Sequence, residues 1–426
     1  MSNNILLTKT GKNIQGTVNL TGSKSECNRA LVIEALSEGK VKVKNVSDAA
    51  DTVLLEGILK SKVKSQNSKV LTGDDLETPE INIGPAGTAM RFLTAYLTLQ
   101  NEEVILTGSQ RMKQRPIGIL VDALRQLGAV IGYEENDGFP PIRIKGNLQQ
   151  ATNTISIKGD ISSQYITALL LIAPRLPLGL QLNIEGELTS RPYVEMTLAM
   201  LEQAGIQHTW TGNTISIAKQ DFKETTLPVE PDWSAASYWY SIAALANEAE
   251  IFLSGLTQYS LQGDSVITEI MANFGITSQF KDGGVYLKKE NKPISRDLFD
   301  LKKCPDLAQT VVVVCAALGH EATFTGLETL KIKETDRVKA LQNELAKIGV
   351  KLIEDNLMYK LDCSEKFIPQ RLFVNTYEDH RMAMAFAPLA LLIPEIEVEE
   401  AKVVEKSYPA FWTDLEKMGF SIEVKG

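Results

Sequence analysis

The chain has 426 residues, 44% hydrophobic and 23% charged, a balance ordinary for a globular protein but a length beyond what one core usually serves. Its 44 basic and 53 acidic residues give a net charge of −9, which excludes a general nucleic-acid or polyanion binder but not a small anion in a cleft of local positive potential. Four cysteines and three histidines without paired or metal-ligand spacing, a start without an apolar signal core, and no apolar run long enough for a bilayer point to a reduced cytoplasm, with no metal and no membrane.

From the N-terminus onward, one local design recurs six times. A turn of Gly, Pro, Ser and charged residues gives way to a helix of small and aliphatic residues. The segments start near Gly22, Gly84, Gly159, Pro231, Cys304 and Tyr377, in steps of 62, 75, 72, 73 and 73 residues. A second series of amphipathic helix patterns ends on glycine: Leu124 to Gly128, Leu201 to Gly205, Ile270 to Gly275, Leu345 to Gly349 and Leu415 to Gly419. Short β-rich runs lie between, among them Val104–Leu106, Thr154–Ile157, Thr214–Ile217, Val285–Leu287 and Leu357–Leu361. The repeated order is strand, helix, strand, helix and a pair of strands, and parallel strands joined by crossover helices make a layered α/β structure. The turns near Thr21-Gly22 and Pro228–Asp232 lie three units apart. They predict an inserted lobe over 22–231 and a second lobe from 1–21 and 232–426, with a ligand in the hinged cleft between them.

In each first helix the preceding turn aims backbone N–H groups at whatever lies at the N-terminus, and these donors favour anions together with the helix dipole. Lys24, Ser25 and Arg29 occupy the first such turn, Gly87, Thr88 and Arg91 the second, and Ser162, Ser163 and Gln164 the third. Ser, Thr and Gly also cap helices without any ligand, so one turn alone decides nothing. Arg111-Met112-Lys113-Gln114-Arg115-Pro116 puts three cations ahead of a helix, where the dipole disfavours them unless an anion sits between. Lys331 to Arg337 reads as a helix start on which Lys333 and Arg337 share a face with Glu334 beside them. Asp379-His380-Arg381 abuts the apolar run Met382 to Phe386, and Asp306 reads either as a cap or as an acid at a site.

Together these motifs resemble the enolpyruvyl transferase family, in its branch that acts on shikimate 3-phosphate. The resemblance spans all six units. It rests on Gly22-Ser23-Lys24-Ser25 with Asn28-Arg29-Ala30, Ala86-Gly87-Thr88-Ala89-Met90-Arg91, and Arg111-Met112-Lys113 with Arg115-Pro116-Ile117. Ser162-Ser163-Gln164, Lys333-Glu334-Thr335-Asp336-Arg337 and Asp379-His380-Arg381-Met382-Ala383-Met384 complete it. It implies an α/β (α+β) fold, a two-lobed inside-out barrel of βαβαββ units, three per lobe, that closes over its ligands.

The implied reaction, in aromatic amino-acid biosynthesis, transfers the enolpyruvyl group of phosphoenolpyruvate to the 5-hydroxyl of shikimate 3-phosphate and releases phosphate, without a cofactor. By resemblance, Lys24, Ser25, Arg29, Ser162, Ser163, Gln164, Ser190, Tyr193, Asp306 and Lys333 hold shikimate 3-phosphate. Lys24, Gly87, Gln164, Arg115, Arg337, Arg381 and Lys406 hold phosphoenolpyruvate, and Asp306, Glu334, Lys24 and His380 divide the proton transfers and charge stabilisation. The resemblance also favours a cytoplasmic monomer. Pro85 stands where the family commonly has Asn, and Thr329 where Asn is frequent, which puts one contact to each substrate in doubt. The sister enzymes that use UDP-N-acetylglucosamine typically carry a cysteine in the loop matching Gly108 to Arg115, and this chain has none there.

Overall fold

The six turn-and-helix segments fold as helices Lys24–Leu36, Gly87–Thr98, Ser163–Ile172, Trp233–Leu245, Ala308–Leu318 and His380–Phe386 in the computed structural model, which describes residues 4–66, 78–160 and 162–425. In two of them the small and aliphatic composition leaves no exposed stripe. Every residue of Trp233–Leu245 except Ser234 is buried, as is every residue of Ala308–Leu318 except Leu318. Helices apolar on all sides belong in an interior, and these form one.

The second series forms helices Gly118–Gln126, Arg191–Gln203, Ile267–Ala272, Arg337–Ala346 and Phe411–Lys417. All five end at the expected glycines, with φ of +105° at Gly128, +90° at Gly205, +80° at Gly275, +73° at Gly349 and +83° at Gly419. At Gly349 the requirement is double, because a Cβ there would also run into the backbone carbonyl of Glu365.

The strands form five four-stranded sheets of one topology. Thr154–Lys158 lies parallel to Leu180–Glu185, which pairs antiparallel with Thr214–Ile217 and that in turn with Thr209–Thr211. Ile155 sits opposite Leu182 and Ile157 opposite Ile184, and the alternating burial of both strands turns one face to the helices and the other to solvent. The same order recurs from Glu80–Asn82, from Asn13–Asn19, from Leu298–Asp300 and from Arg371–Val374, where the N-terminal strand Asn4–Thr8 completes the last sheet. In the sixth sheet the described residues supply Val41–Lys44 parallel to Thr225–Pro228.

The chain divides into two units: Lys24–Ser47 with Asp51–Val229, and Met1–Ser23 with Asp48–Ala50 and Glu230–Gly426. In the first, helices Lys24–Leu36, Gly87–Thr98 and Ser163–Ile172 pack pairwise; in the second, Trp233–Leu245, Ala308–Leu318 and His380–Phe386 do the same. Helices inside and sheets outside is therefore the layering of each. Among the described residues no helix is long and apolar enough to cross a membrane.

Candidate active site

Packing three such helices side by side gathers the residues of their opening turns. In the unit Lys24–Ser47 with Asp51–Val229 the centre of the group is Arg29, 3% exposed. Its Nε donates to Thr197 Oγ1 at 2.9 Å, Nη1 to the Ser25 carbonyl at 2.7 Å, and Nη2 to the Tyr193 carbonyl at 3.3 Å and Thr167 Oγ1 at 3.4 Å. The rings of Phe92 and Tyr193 lie 5.6 and 5.7 Å away. Every one of those acceptors is neutral. Burial pulls the guanidinium down to about 10, with Tyr193 and Glu26 opposing, so it stays a cation at neutral pH, and none of its hydrogen-bond acceptors is a carboxylate.

Around it lie the other predicted residues of the unit. Ser162 caps the helix Ser163–Ile172 by accepting from the Gln164 N–H, and Gln164 Nε2 donates to Thr88 Oγ1 at 3.3 Å, tying two helix starts together. Gly87 opens the next helix against Arg115: a Cβ on Gly87 would lie 2.6 Å from Arg115 Nη1. Arg91 and Tyr165 both donate to the Pro116 carbonyl, at 2.8 and 2.6 Å, and so fix the segment that carries the buried Arg115. Lys24 Nζ stands 3.6 Å from Asp51. Ser190 is held at φ +54°, a left-handed backbone rare for serine, and such strain marks functional positions.

The other unit builds its group on Arg337, 2% exposed. Nε meets Asp379 Oδ2 at 2.6 Å, Nη2 meets Glu334 Oε2 at 2.9 Å, and Nη1 meets Asp306 Oδ1 at 3.4 Å. Burial opposes the Arg337 charge, but Asp379 and Glu334 outweigh it and hold the guanidinium protonated. Arg381 Nη2 pairs with Asp306 at 2.9 Å, and Lys406 Nζ with Glu334 at 3.0 Å. Asp379 caps the helix that begins at the buried His380, accepting from the Arg381 N–H at 2.9 Å. The two residues ahead of it, Tyr377 and Glu378, sit at φ +55° and +56°. Tyr377 is anchored there by donating to Glu344 Oε1 at 2.8 Å.

One expectation changes and one open reading closes. Lys333 and Arg337 do not share a helix face: Asp336 caps the helix through the Lys339 N–H, so the helix starts at Arg337, and Lys333 to Thr335 lie in a bend. Glu334 then reaches Arg337 across the helix start rather than along it. Asp306 is no cap, because it lies in the 3-10 turn Pro305–Leu307 and its carboxylate goes to Arg337 and Arg381. Of the three cations in 111–115 only Arg115 is buried. Arg111 reaches Gln114, and Lys113 pairs with Glu135.

With the geometry in view, comparison with known proteins is direct. The sequence model of EPSP synthase (3-phosphoshikimate 1-carboxyvinyltransferase) matches residues 8–415. The chain belongs to the EPSP synthase family. A 3-phosphoshikimate 1-carboxyvinyltransferase of Bacteroides fragilis is 47% identical over 414 residues, which cover 96% of this chain and 97% of the relative. One from Paraburkholderia phytofirmans is 34% identical over 93% of this chain and 95% of its own length. The EPSP synthase structure from Acinetobacter baumannii superposes with a TM-score of 0.73 at 20% identity, covering 99% of this chain and 100% of that one. The enolpyruvyl transferase NikO from Streptomyces tendae gives 0.72 at 14% identity, covering 100% and 99%. These two establish the enolpyruvyl transferase fold.

Sequence reasoning missed several side chains that contact the predicted residues. Asp51, Thr167 and Thr197 support Lys24 and Arg29 from helices whose sequence reads as plain amphipathic pattern. Tyr238 donates no distinctive signal from within a core helix, yet its hydroxyl accepts from Arg381 Nη1 at 3.4 Å, and burial pushes it up to about 12, so it stays neutral.

Proposed function

We propose that this chain transfers the enolpyruvyl group of phosphoenolpyruvate to the 5-hydroxyl of shikimate 3-phosphate, releasing phosphate, and that the groups around Arg29 and Arg337 perform it. The observation that carries the assignment of roles is Arg337, one buried guanidinium holding Glu334 and Asp306, two carboxylates from separate segments. The reaction needs such a pair. As the 5-hydroxyl oxygen bonds to C2 of phosphoenolpyruvate, its proton passes to Asp306, and C3 takes a proton from Glu334 to give a tetrahedral intermediate. Glu334 then removes a proton from C3, the C2–C3 double bond re-forms, and the C2–O bond to phosphate breaks.

Both substrates carry a carboxylate and a phosphate, and their repulsion must be met by cations. Arg29, with Ser25, Ser162, Ser163, Gln164, Ser190, Tyr193 and Lys333, is assigned to shikimate 3-phosphate. Lys24, Gly87, Arg115, Arg337, Arg381 and Lys406 are assigned to phosphoenolpyruvate, Lys24 also steadying the departing phosphate. An anion that draws Arg337 and Lys406 to itself leaves Glu334 with fewer cations and favours its proton-carrying form, the form the first step requires. His380, buried 3.6 Å from Asp379, is assigned with Asp306, Glu334 and Lys24 to the proton transfers and charge stabilisation. All four cysteines are free thiols, which supports a reducing, cytoplasmic setting.

Phosphate release is expected only with both substrates present; release with UDP-N-acetylglucosamine in place of shikimate 3-phosphate would overturn the acceptor. Asp306→Asn is expected to bind shikimate 3-phosphate in calorimetry as the parent does and to lose on the order of 10²–10⁴ in turnover. Near-normal turnover removes Asp306 from the chemistry. In Gly87→Ala the new methyl occupies the space of the Arg115 guanidinium, 2.6 Å from Nη1 and 2.9 Å from Nη2, so that side chain must move. The KM for phosphoenolpyruvate is expected to rise about tenfold or more, the cost of one displaced charged contact, with shikimate 3-phosphate affinity retained. An unchanged KM places Arg115 elsewhere.

A further inference from the structure

Arg381 has two holds on the same nitrogen. Nη2 lies 2.9 Å from Asp306 Oδ2 and 3.4 Å from Ser234 Oγ, while Nη1 donates to the Asp306 carbonyl at 3.2 Å. The Ser234 hydroxyl has one proton, and it goes to Asp264 Oδ2. Its lone pairs are thereby left for Arg381. Asp264 sits in the short turn Gly263–Val266, is 4% exposed, and its other oxygen, Oδ1, is buried without a hydrogen-bond partner. A buried carboxylate used on one side only is costly unless the remaining interaction matters.

The charged groups facing Asp264 are Asp306, Arg381 and Asp232, and Cys304 lies within their field. Burial first, then the Asp306 charge, pushes its carboxyl above the usual carboxylate range, with Arg381 and Ser234 pulling the other way. Stability alone gives no reason to keep an acid here, since Asp306 already neutralises Arg381.

We propose that Asp264 is a positioning residue that, through Ser234, keeps Arg381 in place when Arg381 releases Asp306 to meet the anionic substrate. This rests on the assignment of Arg381 to phosphoenolpyruvate and of Asp306 to the hydroxyl proton. Paired as they are, Arg381 and Asp306 neutralise each other, and each must part from the other to meet a substrate. For both to act, their 2.9 Å pair has to loosen, which leaves Nη1 on Tyr238 and the Asp306 backbone carbonyl and takes the carboxylate partner from Nη2. Ser234, oriented by Asp264, keeps a hydrogen bond on Nη2 through that change.

The test is steady-state kinetics of Asp264→Asn, Ser234→Ala and the double variant, with each substrate varied in turn and melting temperatures measured alongside. Each single variant is expected to raise the KM for phosphoenolpyruvate about tenfold, the worth of one hydrogen bond to a charged group. The KM for shikimate 3-phosphate should stay within about twofold. Because Asp264 acts only through Ser234, the double variant should show no more than the larger single effect. Additive effects, or both KM values moving together with a fallen melting temperature, mean a structural role and overturn the proposal. Arg381→Ala run in parallel separates the two layers: if it leaves the phosphoenolpyruvate KM unchanged, the assignment of Arg381 fails. If it raises that KM and Asp264→Asn does not, only the positioning role fails. Should Asp264→Asn not fold, Ser234→Ala with unchanged substrate KM values is sufficient to reject the proposal.

Discussion

Arg337→Ala is expected to cost its unit about 3–5 kcal/mol of folding stability, the penalty for removing one partner of a buried ion pair. The geometry assigns most of that loss to one residue. Without Arg337, Glu334 keeps Lys406 at 3.0 Å and Asp306 keeps Arg381 at 2.9 Å. Asp379, fully buried, loses the 2.6 Å contact that neutralises it and retains only the Arg381 N–H and the His380 ring near its oxygens. An uncompensated carboxylate in that position is the origin of the effect. Adding Asp379→Asn to Arg337→Ala removes the orphaned charge while leaving a residue that still caps the helix, so the double variant should recover most of the loss. Urea unfolding followed by tryptophan fluorescence reads this well, because Trp233, Trp239 and Trp412 all lie in the unit that holds Arg337. A loss below about 1 kcal/mol for Arg337→Ala would show that the three carboxylates do not depend on it.

The repeat made most of the fold legible. A spacing near 73 residues, small-residue helices after each turn and glycines at the second helix ends are local signals, and local signals survive into the structure as the six inner helices and five positive-φ stops. The misplaced helix start at Lys333 came from reading side-chain spacing before capping. Asp336, followed three residues later by Lys339, whose N–H it accepts from, was a readable cap in Thr335-Asp336-Arg337, and it overrides the i,i+4 pattern. The site was legible only where it uses charged residues close to the turns. Ser234 and Asp264 are thirty positions apart, each looks like an ordinary residue of a helix start, and only tertiary packing sets them in line with Arg381. The same holds for Thr167 and Thr197, which face Arg29 from helices far along the chain. Sequence pattern shows which face of a helix is buried, not which polar atom of a second helix meets it.

Arg29 is expected to behave in the opposite way to Arg337 in stability, because Arg337 also neutralises carboxylates and the hydrogen-bond acceptors of Arg29 are all neutral. Arg29→Met should leave the unfolding free energy within about 1 kcal/mol of the parent or raise it, yet weaken shikimate 3-phosphate binding on the order of 10²-fold or more. The stability half follows from the sign of the pKa displacement. Burial takes Arg29 below its ordinary value, to about 10. A folded-state value below the unfolded one makes the charged form a cost at every pH below about 10, relieved only as pH rises through that value. The cost, roughly 3 kcal/mol by the usual conversion, is fully present at neutral pH. Methionine abolishes it and fills much of the same volume between Phe92 and Tyr193. Arg29's former acceptors are not stranded either: Thr197 Oγ1 still donates to the Tyr193 carbonyl at 2.7 Å and lies 3.2 Å from Thr167 Oγ1, and the Ser25 carbonyl belongs to a helix. The binding half follows because a buried cation whose hydrogen-bond acceptors are all neutral need not part from a carboxylate to meet an incoming anion. Calorimetric titration with shikimate 3-phosphate, beside a urea melt of the same sample, decides between the roles. Destabilisation by several kcal/mol with affinity intact would make Arg29 a core residue and move the shikimate site away from it.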